Sequence, residues 1–320
     1  MHRHRACLAL LFSANAMVAA QDFPLKPVRL VVGFAPGGGA DSAARSVAQK
    51  LNEAWGQSVI IDNRAGAGGN VATEIVARAA PDGYTLLVSS PGPIVTNPFL
   101  YAKLPYDPHQ DLAPVTLIAS SVNLILVNPS APVSNVRELI AWTRSKPGGV
   151  NYASSGIGST PHLAGELLKT AAHIDMVHVA YKSAAPAVID LIGGRVDVLV
   201  ASLPTSLAQV KAQRLKAIAV ASLKRSPALP EVPTADESGV PGYEVVTWWG
   251  LLAPAGVPGN LITKINQIVV RSLKSPEMKE SLARGGADAI GNSPAEFGAF
   301  IQKESVKWSK VIKTSGVKIE

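Results

Sequence analysis

Short apolar runs alternate along the chain with stretches whose apolar positions recur every three or four residues. The short runs have the length and β-branched content of strands, and the longer period is that of helices packed on one face. This alternation predicts α/β layers with largely parallel sheets. Strands are predicted at Val28 to Gly33, Ser58 to Asp62, Thr85 to Ser89, Val115 to Ala119 and Asn123 to Val127. Further strands are predicted at Asn151 to Ser154, Met176 to Ala180, Val196 to Ala201 and Leu215 to Ala219. Between them fall helices at Asp41 to Ala54, Asn70 to Ala79, Asn135 to Ser145, Pro161 to Ala171, Ala184 to Gly193 and Pro204 to Ala212. Most open on a cap residue or a proline, as the unpaired N–H groups of a first turn require.

Two passages are longer than an ordinary strand. "TLIASSVNLILVNPSAP", Thr116 to Pro132, is long enough to leave one sheet and enter another, and "GYEVVTWWGLLAPAGVP", Gly242 to Pro258, reads as one extended passage with aromatics in its middle. Two such crossings bracket a middle lobe, expected at residues 125–246, and return the chain to a first lobe made of residues 21–124 and 247–320. The helices expected at Asn260 to Leu273, Pro276 to Arg284 and Pro294 to Lys313 would pack on that first lobe. The proline-rich segments "SSPGPIVTNPF" and "RSPALPEVPTADESGVPGY" read as ordered connections, the second long enough for a surface excursion.

The first twenty residues break the pattern: a basic start with Arg3 and Arg5, an apolar stretch from Cys7, and small residues at Val18, Ala19 and Ala20. That is the layout of a secretory signal peptide over residues 1–20, with cleavage expected after Ala20. The stretch is short and interrupted by Ser13 and Asn15, and no later segment reaches eighteen consecutive apolar residues, so a soluble, exported protein is expected. Cys7, the one cysteine, precedes most of the apolar region and is badly placed for lipidation; its removal would exclude disulfides, cysteine metal sites and thiol catalysis. The formal charge is +7, and +5 without Arg3 and Arg5, spread thinly and without interleaved aromatics. A solvated surface accounts for it, nucleic acid is not an expected partner, and a small anion is easily accommodated.

Chemistry concentrates at strand-to-helix turns. In "FAPGGGAD", Phe34, Ala35, Gly37, Gly38 and Gly39 bring backbone N–H groups close to a ligand, with Asp41 expected as the N-cap of the helix. A tight turn that binds nothing is the competing reading. No lysine completes a P-loop, and "RAGAGGNVA" has Val71 where a dinucleotide fingerprint needs its last glycine, so no cofactor is expected. In "NYASSGIGSTPHLAGELL", Ser154, Ser155, Ser159 and Thr160 place hydroxyls beside free N–H groups, with Gly158 and His162 in the same turn. Paired with the first turn, this loop makes an anion clamp of neutral donors. For His162, capping or packing competes with ligand contact. Trp248 and Trp249 are divided between pocket wall and core, with one of them expected in the core. There is no G-x-S-x-G elbow, no triad order around Ser159 and His162, and no HExxH spacing, so no catalytic residue and no metal site is expected, and an enzyme is not. An exported hydrolase stays as a remote alternative.

"FAPGGGAD", "NRAGAGGNVA", "PDGYTLL", "LPYDP", "APVTLIA", "NYASSGIGSTPHLAGELL", "VAYKSAAPAVIDLIGGRVDV" and "RSPALPEVPTADESGVPGYEVVTWWGLLAPAGVP" together resemble the Bug-type, or TctC-type, substrate-binding proteins of tripartite tricarboxylate transporters. The resemblance runs from about Phe23 to the C-terminal helices. It implies a type II periplasmic-binding-protein fold of two Rossmann-like α/β lobes joined by two crossover strands, closing on a ligand in the cleft between them. It implies a periplasmic, monomeric receptor for a small carboxylate (a di- or tricarboxylate, an amino acid or an aromatic acid). The implied partners are the large and small integral membrane subunits of the permease; a membrane sensor kinase is the alternative. It also implies contacts at Phe34 to Asp41, at Ser154 to Thr160, at Ser89 and Ser90 after the third strand, and near Ala201. There the chain departs from the family, whose usual Asp or Asn before "LP" is replaced by Ala201 and Ser202. Ser202 is therefore the candidate contact, and the far end of the ligand is expected to be less polar or more loosely held.

Overall fold

The strand Val28–Val32 (β1) is buried on both faces, as an interior strand of a parallel sheet must be. In the computed structural model, which describes residues 23–315, β1 pairs in parallel with β2 (Val59–Asn63) and β3 (Thr85–Ser89), joined through helices α1 (Gly39–Trp55) and α2 (Asn70–Ala77). The expected signal peptide, residues 1–20, lies outside the described residues. After β3 comes a helical segment, a wide turn at Gly92–Thr96 and then α3 (Asn97–Leu100), where the sequence suggests only a proline-rich connection. Its prolines occupy first-turn positions, where a missing N–H costs nothing. Next follow β4 (Leu112–Val127), α4 (Val136–Ser145), β5 (Asn151–Ser154), α5 (Thr160–Ala172), β6 (Val177–Ala180), α6 (Ala184–Ile192), β7 (Val198–Ser202), α7 (Leu203–Lys211) and β8 (Lys216–Val220). The chain closes with β9 (Val246–Pro254), α8 (Gly259–Leu273), α9 (Pro276–Arg284), the two-residue β10 (Asp288–Ala289) and α10 (Pro294–Ser315).

The strand order is β2-β1-β3-β9-β4-β7-β5-β6, with β8 and β10 also on β4. Pairing is parallel within each lobe, β1 with β2 and β3, and β5 with β6 and β7. It is antiparallel wherever β4 or β9 takes part. The largely parallel expectation therefore fails at the crossings, because the chain leaves the first lobe along β4 and returns beside it along β9 in the opposite direction. The two strands expected at Val115 to Ala119 and Asn123 to Val127 are one, β4, which pairs with β9 from Leu112 to Val122 and with β7 from Asn123 to Val127.

Where β4 changes partner, Asn123 is fully buried and donates from Nδ2 to Val245 O at 2.8 Å, while its Oδ1 accepts from Thr247 Oγ1 at 2.9 Å. Its backbone O accepts from Ala221 N at 2.8 Å. One side chain thus satisfies groups that neither sheet reaches. On β9 the adjacent Trp248 and Trp249 fall on opposite faces, as strand alternation requires. Trp248 meets the edges of Phe297 and Phe300, with ring centroids 5.7 and 5.6 Å away. Trp249 joins the apolar layer beneath α1 and α8. The helix α10 is not confined to the first lobe: it lies against β4 and α3 and also reaches α5. No helix among the described residues is long and apolar enough to cross a membrane.

Replacing Asn123 by Ala strands the Val245 carbonyl and the Thr247 hydroxyl, each worth about 1–3 kcal/mol when buried and unpaired. Urea unfolding of Asn123→Ala is expected to show a loss of about 2–4 kcal/mol, with Thr247→Val adding little on top of it.

Candidate functional site

A cavity of about 40 Å³ lies at the junction of the lobes, room for a few waters or one slender molecule. From the first lobe it is lined by Phe34, by Gly38, Gly39 and Ala40 at the start of α1, and by Ser90 just after β3. The second lobe contributes Ser155 and Ser159 to Pro161 around the start of α5, Ser183 and Ala184 at the start of α6, and Ser202 and Thr205 at the start of α7. The crossing strand β9 closes it with Thr247 and Trp249. None of these lining residues carries a charge.

Four helices therefore begin at the cavity wall, each bringing N–H groups without an intrahelical acceptor and the partial positive end of its dipole. The N-caps Gly38, Ser183 and Ser202 make no side-chain capping bond, so the first turns of α1, α6 and α7 keep donors to offer. On α5, Ser159 Oγ accepts from His162 N at 3.4 Å and donates to Gly156 O at 2.6 Å. Three lining hydroxyls, Ser90 Oγ, Thr160 Oγ1 and Ser183 Oγ, are buried without a hydrogen-bond partner. Such groups are costly unless an occupant supplies acceptors. Phe34, Pro161, Ala184 and Trp249 give the same cavity an apolar wall. This arrangement can seat a small anion that also carries hydrocarbon.

Asp41 is not the N-cap. It sits in the first turn of α1, which starts at Gly39, and its buried carboxylate is fully engaged. Oδ2 accepts from Gly37 N at 3.1 Å and Arg45 Nε at 2.8 Å, and Oδ1 accepts from Arg45 Nη2 and Asn63 Nδ2, both at 3.1 Å. Burial alone would raise its pKa, but the bonds from Arg45, Gly37 and Asn63 outweigh it and hold the carboxyl below its ordinary value. Asn63 also donates to Phe34 O at 2.9 Å. Asp41 thus ties both ends of the glycine turn to β2, behind the cavity wall.

The second loop has a similar backing. His162 Nδ1 accepts from Gly158 N at 3.2 Å, Ser154 Oγ lies 2.7 Å from His178 Nε2, and the two imidazoles meet at a tilt with centroids 4.2 Å apart. Tyr152 closes the group, its ring 4.8 Å from that of His178 and its hydroxyl donating to Glu166 Oε1 at 2.6 Å. Burial, with help from the Lys169 charge, pulls His162 down to about 4; burial, then the neighbouring His162, does the same to His178. Both rings are therefore neutral near pH 7. Neither Ser154 nor His178 lines the cavity, and Ser154 is fully buried.

Of the residues singled out in the sequence, the structure brings Phe34, Gly38, Gly39, Ser90, Ser155, Ser159, Thr160 and Ser202 to the cavity. Ala35, Gly37, Asp41, Ser89, Ser154, Gly158 and His162 do not line it, and the last two act behind the loop. Sequence reasoning missed Ser183 with Ala184, Thr205 and Thr247. The signal for Ser183 was present: a serine two residues before the helical run "APAVIDLI" is an N-cap like the others. Trp249 proves to be both core and wall.

A family model described as the tripartite tricarboxylate transporter family receptor matches residues 43–317. Protein BugT of Bordetella pertussis is 35% identical over 308 residues, covering 95% of this chain and 94% of that one. Among solved structures, R. palustris Rpa4515 with adipate is 40% identical with a TM-score of 0.89, covering 92% of this chain and 99% of that one. MatC (Rpa3494) from Rhodopseudomonas palustris with bound malate is 33% identical with a TM-score of 0.87, covering 91% and 100%.

The unfolded chain binds protons on its histidines near pH 6.5, whereas folded His162 and His178 bind them only near 4. Stability is therefore full above pH 6.5 and falls as pH drops through that window, before the Asp41 contribution is lost at still lower pH. Urea unfolding is expected to show a loss of roughly 5 kcal/mol between pH 7 and pH 4.5, about half from each histidine, and a flatter profile in the double variant His162→Gln, His178→Gln.

Proposed function

The chain belongs to the tripartite tricarboxylate transporter receptor family, and from that membership and the chemistry of its cavity we propose that it captures a small dicarboxylate such as malate or adipate. The single observation that carries the choice is the lining: four helix N-termini and three unpartnered hydroxyls face a closed space that holds no charged side chain. A carboxylate takes several N–H and O–H donors at once, and the dipoles offset part of its lost hydration. Phe34 and Trp249 accept the hydrocarbon between two such groups.

Capture needs no covalent step. Contacts from α1 and Ser90 on one side and from α5, α6 and α7 on the other are made together only when the cleft is closed, so the ligand favours the closed state by as much as those contacts differ between the two. We put the lobe boundaries at 124/125 and 246/247, a division supported by the change of partner at Asn123, with β4 and β9 as the connections about which the lobes would close. The loaded receptor delivers its ligand to the integral membrane subunits of a tripartite permease, working in the periplasm after removal of residues 1–20.

Isothermal titration against malate, adipate, succinate, citrate, glutamate and benzoate is expected to give saturable binding for at least one dicarboxylate and none for its diamide. Thr160→Val and Ser90→Ala should each weaken that binding by about tenfold, the worth of one hydrogen bond to a charged group. Absence of binding across the series, with no small acid released when the purified protein is denatured, would count against the receptor reading.

A further inference from the structure

The loop between β5 and α5 touches the cavity with both of its shoulders, Ser155 and Ser159, while its middle presses on the first lobe. A Cβ on Gly68 would lie 2.2 Å from Ile157 O, and a Cβ on Gly92 would lie 2.6 Å from Gly158 O. Both distances are far inside van der Waals contact, and in both cases the obstructing atom is backbone, so no rotamer change relieves them. Reciprocally, a Cβ on Gly158 would lie 2.4 Å from Asn97 Oδ1. The crossing loop fits the first lobe only because glycine stands on both sides.

The partners are held stiff. Asn97 Nδ2 donates to Asn70 Oδ1 at 2.6 Å, and that oxygen also accepts from Tyr106 OH at 2.8 Å, whose hydroxyl in turn reaches Pro93 O at 3.0 Å. Asn97 Oδ1 is buried and has no hydrogen-bond partner, and it is the atom that a Cβ on Gly158 would meet. On the loop itself, Gly156 N donates to Ser154 Oγ at 3.2 Å and Gly158 N to His162 Nδ1. Among the described residues no N–H or O–H hydrogen bond crosses between Gly68 or Gly92 and the loop, so the contact is one of shape and separates without breaking one.

We propose that Gly68 and Gly92 form a backbone socket for residues 156–158, and that docking in this socket sets the depth of cleft closure. Ser90 lies two residues from Gly92, and Ser155 and Ser159 flank the docking segment, so seating the loop and lining the cavity are one event. The inference rests on the receptor reading and deepens it. A bulkier socket residue holds the shoulders away from the ligand even though it never touches the ligand itself. Gly92 is the cleaner test, since it opens the wide turn with a φ outside the left-handed region, which alanine tolerates in the open state, whereas Gly68 has φ +63° and strains any side chain.

The experiment measures inter-lobe distance by spin labels at Ile60→Cys and Val177→Cys, both exposed and on the outermost strands, in the processed protein, which has lost Cys7 with residues 1–20, without ligand and with malate or adipate. A shorter-distance population is expected in the parent protein and is expected to vanish in Gly92→Ala and Gly68→Ala. Affinity should fall about ten- to a hundredfold, the cost of an overpacked contact. Ligand-free Gly92→Ala should unfold at or above the parent temperature, which separates a closing defect from a folding one. Gly148→Ala, also at positive φ but with nothing within 4 Å, should close normally. Closure of Gly92→Ala equal to that of the parent, or a parent with no shorter population in any condition, overturns the socket. Loss of the shorter population in the variants while the parent responds to neither acid would uphold the socket and count against the dicarboxylate.

Discussion

Two strands cannot change sheets side by side without leaving backbone groups that neither sheet can pair, and in a buried position those groups must find other partners. Here that requirement falls on Asn123, whose amide serves the β9 segment at both Val245 and Thr247. Thr247 also lines the cavity, so the polar junction that makes the crossing possible stands at the floor of the site. The strands on either side keep their own parallel pairings. Each lobe then keeps its own parallel sheet, and the long antiparallel pairing of β4 with β9, from Leu112 to Val122, joins the first sheet to the crossing.

In the proposed reading the cavity at that junction takes a charge without countercharge, since none of its lining residues is charged. A buried arginine would have to be desolvated in the empty state, at a cost of several kcal/mol unless paired. Helix N-termini avoid that: their dipoles are fixed by the fold and bring partial positive charge without an ionised side chain. Charged residues near the site are held back from it. Asp41 is saturated by Arg45, Asn63 and Gly37, and His162 and His178 are kept neutral by burial. Both act on the geometry of a turn and leave the potential in the cavity to the backbone.

Much of this was legible in the chain. Period and capping located the helices to within a residue or two, since first turns declare themselves through Ser, Asn and Pro. The two turns from the opposite lobes were found because glycine and serine at strand-to-helix junctions have few other uses. What escaped was convergence. Ser183 and Thr205 belong to elements far along the sequence, and only the order β4-β7-β5-β6 brings α6 and α7 to the same edge as α5. Asp41 misled as a cap because a carboxylate beside a glycine run fits the N-cap position, while the partner that decides its place, Asn63, comes from a neighbouring strand. The segment after β3 was read as a turn from its prolines, which proved to be helix-starting residues.

Glycine carried the first suspicion of a ligand, and its role divides once the packing is known. Gly38 lines the cavity, as a backbone donor should. Gly39, beside it, lies so close to the Trp249 indole that a Cβ there would be 2.2 Å from Cζ2, so it is required by core packing as much as by any ligand. Gly68 lies in the second glycine cluster, where a nucleotide motif fails, and it lies against the backbone of the opposite lobe. A glycine run marks a place where something must come close. Whether that is a ligand, an indole or another stretch of backbone is decided by what the opposing lobe presents, which local sequence does not encode.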